Sequence, residues 1–127
     1  MDMRGYQQYK EQSISTMTQG ELLLMLYDEL VKRLLRAELA LEQTNYDLFE
    51  ASIDRCVDII RHLDDTLDRQ YPISNDLHRM YDYFCYELSR VKFGLNMEEL
   101  RRVKPMLIDL RDTFKTAAKT ASEDASS

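Results

Sequence analysis

Glu21-Leu22-Leu23-Leu24-Met25-Leu26-Tyr27-Asp28 is the stretch whose reading decides the fold. Every side chain from Leu22 to Tyr27 is apolar or aromatic, and at about 100° per residue they point in all directions around a helix. A surface helix needs only one apolar stripe. This helix therefore buries more than one face, against several helices or against a partner. Leu and Met favour helix, and no β-branched residue interrupts the run. Thr18 stands three residues before Glu21, the spacing of a capping box, so a helix is expected to begin near Thr18.

Outward from that stretch the first helix is expected to reach about Gln43. Leu23, Leu26, Tyr27, Leu30, Leu34, Ala37 and Leu41 recur at helical spacing as its inward stripe. Leu24, Val31 and Leu35 make a second stripe about 100° further round. Thr44-Asn45-Tyr46-Asp47 is a polar break, with Thr44 the expected cap of a second helix running to about Asp68. Phe49, Ile53, Cys56, Ile60, Leu63 and Leu67 form that helix's inward row, and Ile59 lies off it. Pro72 disfavours a helical Tyr71, so a third helix starts near Ile73 or Ser74. Its inward row is Leu77, Tyr81, Phe84, Leu88 and Val91, with Met80 beside it. Tyr83 lies off the row, and Tyr86 and Phe93 fall on the opposite side, close to each other in angle. Gly94 ends the third helix. Asn96, with Glu99 three residues on, caps a fourth whose row is Leu100, Val103, Leu107, Leu110 and Phe114. Pro105 should bend this helix without breaking it, because the apolar spacing continues through it.

Short links make neighbouring helices antiparallel, and the expected architecture is an all-α, up-down four-helix bundle over residues 18–115. Residues 1–17 have irregular spacing and carry Tyr6, Tyr9 and Ile14 among polar residues. They read either as a frayed, flexible terminus or as a tail whose apolar residues dock on the body. Residues 116–127 turn to Ala, Ser, Thr and acid, and a disordered tail is expected there.

Composition narrows the function. The chain has 127 residues, enough for one domain, with only three Gly and two Pro and 31 % charged residues, as in an all-helical protein. A net charge of −6 without a Lys/Arg block argues against nucleic acid or an anionic membrane as partner. No apolar run approaches the ~18 residues of a membrane span and no signal peptide opens the chain, so a cytoplasmic protein is expected. Cys56 and Cys85 sit on apolar stripes and read as reduced core thiols. His62 and His78 are the only histidines, and neither closes a Glu-x-x-His pair of the kind a di-metal bundle needs. Gly-rich phosphate loops and nucleophile elbows are missing as well. No catalytic residue, cofactor or metal ligand is therefore assigned, and an enzyme is not expected. Excess apolar surface on a helical scaffold suits recognition of an amphipathic segment laid between bundle helices.

Three stretches carry a family resemblance. They are Tyr6-Gln7-Gln8-Tyr9-Lys10 with Ser13-Ile14, leading to Leu22-Leu23-Leu24-Met25-Leu26-Tyr27-Asp28; Asp58-Ile59-Ile60 with Leu63 and Leu67-Asp68; and Leu77 with Met80-Tyr81-Asp82-Tyr83-Phe84 and Leu88. Together with Leu110-Arg111-Asp112-Thr113-Phe114, where Phe stands for a usual Trp, they resemble the flagellin-export chaperone family FliS over about residues 6 to 116. Gln19, Glu29, Tyr71-Pro72 and Val91-Lys92 depart from the family pattern. The resemblance implies a cytoplasmic bacterial chaperone that binds the disordered C-terminal segment of flagellin, prevents premature polymerisation and assists type III export. It extends the partners to the export apparatus and flagellar regulators. In such a protein Leu24, Val31, Leu35, Ile59, Tyr83, Tyr86 and Phe93 are the expected groove residues, and Tyr6, Tyr9 and Ile14 of the tail compete for part of the same surface. Two other readings remain at this stage: a regulatory bundle that binds a flagellar regulator, and a structural bundle that oligomerises.

Overall fold

A computed structural model describes residues 18–126, all of whose regular structure is helical. Helix α1 spans Gln19–Glu42, α2 Tyr46–Asp65, α3 Ile73–Gly94 and α4 Met97–Ser126. Neighbours in contact are α1 with α2, α2 with α3, α3 with α4, and α4 with α1. The four helices thus close a square in chain order, as the short links require. Tyr6, Tyr9 and Ile14 lie outside the described residues.

Local chemistry explains each boundary. Thr18 is extended and its Oγ1 accepts the Glu21 N–H at 3.1 Å, satisfying one of the open donors at the start of α1. The cap of α2 is Asn45, whose Oδ1 accepts Leu48 N–H at 3.3 Å, and not the expected Thr44. Thr44 instead takes the left-handed turn position, with φ 56. The turn has to reverse the chain within three residues, and that geometry leaves only Asn45 aimed at the first turn of α2. Helix α2 ends at Asp65, earlier than expected, where Thr66 Oγ1 donates to Leu63 O at 2.7 Å. Leu67 still packs on the core from the link. After Gly94 the left-handed residue is Leu95, and Asn96 Oδ1 accepts Glu99 N–H at 3.0 Å as expected. Helix α4 continues through Pro105. Its helical backbone also runs on to Ser126, past Thr116, where a tail is expected from the sequence. Ala117, Ala118 and Ala121 sustain helix by propensity where little packs against it.

The core is a continuous cluster fed by all four inward rows. Tyr27, Leu30, Leu34 and Ala37 of α1 meet Phe49, Ile53, Cys56 and Leu63 of α2, Phe84, Leu88 and Val91 of α3, and Leu100, Val103 and Leu107 of α4. Each fully buried Leu or Ile stabilises by roughly 1.5–3 kcal/mol relative to exposure. Tyr27 and Tyr81 face each other across the α1–α3 diagonal, with hydroxyl oxygens 2.5 Å apart. One tyrosine belongs to the Leu-Tyr-Asp stretch and the other to Met-Tyr-Asp-Tyr, so the two most distinctive sequence stretches meet inside the bundle. Burial, then the shared hydrogen bond, pushes the Tyr27 phenol well above its ordinary range, and burial raises Tyr81 as well.

The α3–α4 seam is held differently. Glu87 is buried there, and Arg102 reaches Glu87 at 3.4 Å, the Tyr83 hydroxyl at 2.7 Å, and Glu99. Across α1–α4, Glu38 pairs with Lys104 at 2.6 Å and Glu42 with Arg101 at 2.7 Å.

Candidate partner-binding surface

The second stripe of α1 forms a shallow apolar groove on the side of α1 that faces α4. Val31, Leu35 and Leu39 line it with Asp28, Lys32 and Arg36, and Arg111 of α4 closes its edge. Arg111 lies 3.6 Å from Asp28, so an ion pair rims the apolar floor. Leu24 and Met25 extend the same face toward the start of the helix. Leu35 is 48 % exposed and Leu39 53 % exposed, although both are leucines in the middle of a long helix. Val31 is buried at the groove's base rather than exposed on its surface. Leu39 is the residue that sequence reasoning missed. Its signal was present, because it follows Leu35 by one helical turn.

A second apolar face lies on α3. Phe93 is 83 % exposed and Tyr86 63 % exposed, as their spacing opposite the inward row predicts. Phe93 borders a groove between α2 and α3 with Val57, Asp58 and Ser89, and Lys92 stands 5.5 Å from its ring. Lys92 is itself held by Asp54 at 2.7 Å.

Two expected groove residues are placed elsewhere. Ile59 is only 2 % exposed and belongs to the core. Helix α2 packs on both α1 and α3, so its buried arc is wide enough to include a residue off the main row. Tyr83 is partly exposed but tied down. Its hydroxyl accepts from Arg102 and its ring tilts against Phe84 at 5.5 Å. Leu24, Val31 and Leu35 therefore come together on the α1–α4 edge, and Tyr86 and Phe93 on the α3 side. In a square of helices the α1–α4 edge and the α2–α3 edge are opposite.

At one end of the bundle an apolar cavity of about 240 Å³ opens among Leu23, Leu67, Tyr71, Leu77, Tyr81 and Phe114. Phe114 stacks on Tyr27 with ring centroids 5.0 Å apart. Elsewhere the chemistry is subdued. Burial pushes the Cys56 thiol up to about 12 and raises Cys85 too, which keeps both from acting as nucleophiles. Among the described residues no helix is long and apolar enough to cross a membrane. Among the described residues, the two surfaces expose apolar side chains of the kind an amphipathic helix would cover.

Comparison with known proteins agrees with this geometry. The family model described as "Flagellar protein FliS" matches residues 2–121. The chain is also similar to the flagellar secretion chaperone FliS of Bacillus subtilis (strain 168), at 30 % identity over 119 residues. That alignment covers 94 % of this chain and 90 % of the relative.

Proposed function

Because the chain belongs to the FliS family of flagellar proteins, we propose that it is a cytoplasmic chaperone that binds the disordered C-terminal segment of flagellin, holds it back from premature polymerisation and assists its type III export. As a FliS-type protein it serves flagellar export as a chaperone and is not an enzyme. The observation that carries the finer reading is the leucine stripe of α1 that the described residues leave open, Leu24 to Leu39 above the base at Val31, edged by Asp28, Lys32 and Arg111. A filament-forming segment exposes apolar helix faces, and covering them blocks self-association. Such a segment loses conformational freedom when it binds, so a large apolar contact is needed to offset that cost. Two apolar faces on opposite edges supply it if the segment wraps around the bundle.

The test is a titration of the isotopically labelled chain with a flagellin C-terminal peptide, followed by NMR. Shifts should concentrate on Leu35 and Leu39 and on Tyr86 and Phe93. Changing Leu35 and Leu39 together to Ser should weaken the peptide at least about tenfold, or ~1.4 kcal/mol, while leaving the helical spectrum unchanged. Wild-type affinity in that variant would move the binding surface off α1. A chain that ignored flagellin and captured a flagellar regulator instead would be a regulatory bundle.

A further inference from the structure

At the corner where α2 hands over to α3, away from both apolar faces, His78 is held between two carboxylates. Asp64, in the last turn of α2, stands 2.7 Å from His78 Nδ1, and Asp82, one turn along α3, stands 3.3 Å from Nε2. A neutral imidazole carries a single N–H. In the tautomer that donates Nδ1–H to Asp64, the Nε2 lone pair faces the Asp82 carboxylate. Two lone pairs that close repel each other unless a positive charge sits between them. The spacing suits a metal ion. Zinc lies about 2.0–2.1 Å from an imidazole nitrogen and about 2.0–2.2 Å from a carboxylate oxygen, which at a tetrahedral angle separates the two ligands by about 3.4 Å.

We propose that His78 Nε2 and Asp82 bind a borderline divalent cation, zinc in the first instance, with Asp64 as the carboxylate that orients the ring. One ligand atom from each of the three residues lies within 4.8 Å of the others. His78 and Asp82 are one helical turn apart on the same face of α3, so both reach the ion without any change of backbone. Asp64 on the far nitrogen orients the ring so that Nε2 faces Asp82. Arg69 is a further charge at the corner. It lies 3.7 Å from Asp64 and 3.4 Å from Nδ1, on the far side of the ring from Asp82, and so stays outside the chelate. An imidazole with a carboxylate selects zinc, nickel or cobalt over the harder calcium and magnesium. Water completes the shell. An ion here links α3 through the ring to Asp64 of α2 and so staples the corner beside the link that borders the end cavity.

The experiment titrates the full chain, stripped by a chelator, with zinc in competition with a colorimetric chelator, and reads both histidine rings by NMR. One saturable equivalent is expected, with the His78 ring signals shifting and those of His62 unmoved. Asp82 is largely exposed, so Asp82→Asn should fold normally and bind at least tenfold more weakly. Asp64→Asn should lose about tenfold through misorientation of the ring. His62→Ala should bind as wild type does. The proposal is overturned if a tenfold excess of zinc leaves no stoichiometric equivalent bound. It is equally overturned if Asp82→Asn binds undiminished, or if a cobalt complex shows a thiolate charge-transfer band, which would assign the ion to a cysteine.

Discussion

Phe114 touches two things at once, the Tyr27 ring on which it stacks and the open end cavity. A larger aromatic at this position should fill space that the described residues leave open and keep the stack. Phe114→Trp is expected to stabilise the bundle by about 1 kcal/mol, within the range of cavity-filling changes. Chemical denaturation would measure it, and a lower midpoint would mean that the cavity cannot accept an indole without strain. The cysteines offer a second test at this scale. Cys56 is buried and its Sγ lies 3.9 Å from Leu30 O, and burial disfavours its thiolate as well as that of Cys85. Neither thiol should react with an aromatic disulfide reagent in native buffer, whereas both should react at once in denaturant. Rapid labelling of the folded chain would contradict the placement of the two residues. Both thiols were legible from the sequence because they fall on apolar stripes. The Tyr27–Tyr81 contact was not, because periodicity shows which face a residue takes and not which residue stands across the core from it.

Among the elements, the α1–α2 turn and the α3–α4 seam make the clearest claims. Thr44 sits at positive φ, where a β-branched residue is strained, and Asn45 holds the first turn of α2. Thr44→Gly should therefore stabilise by about 1 kcal/mol, while Asn45→Ala should destabilise by about the same amount through loss of the cap. Equal melting temperatures for the two variants would show that the turn is built differently. In the seam, hydrogen bonds from Arg102, and then the one shared with Glu87, lower Glu99 from 4.5 to about 2. A carboxylate lowered on folding adds stability above its unfolded value and loses it as pH falls through the folded one. The contribution of Glu99 is thus complete at neutral pH and fades between about 4.5 and 2. Glu99 is partly open to solvent, which screens the interaction, so the effect is small. It is read as a slope of melting temperature against pH that Glu99→Gln should flatten, and an unaltered slope would remove Glu99 from the account. Helix existence and most boundaries were readable from spacing and caps. The choice of Asn45 over Thr44 was not, because both residues can cap and only the path of the turn selects between them.

For the molecule as a whole, the two apolar faces lie on opposite edges of the helical square. If one flagellin segment wraps both, Leu35→Ser with Leu39→Ser and Tyr86→Ser with Phe93→Ser should each weaken the peptide at least about tenfold, and the combined variant should lose more than either. Isothermal titration would measure this, and an effect from only one pair would confine the groove to one edge. Deleting residues 1–14, which carry Tyr6, Tyr9 and Ile14, should tighten the apparent affinity if they compete for that surface. The sequence by itself determined the four helices, most of their inward rows and the family, since these are set by local spacing and by motifs, although Met80, expected beside the α3 row, is exposed. Only the tertiary structure decided that Ile59 is core, that Tyr83 is bound to Arg102, that Leu39 belongs to the exposed stripe, and that His78 stands between Asp64 and Asp82. The physical reason is that helical periodicity specifies the angle of a side chain about its own axis. Whether that angle is covered depends on how many neighbours the helix has and where they stand, and those neighbours come from distant parts of the chain.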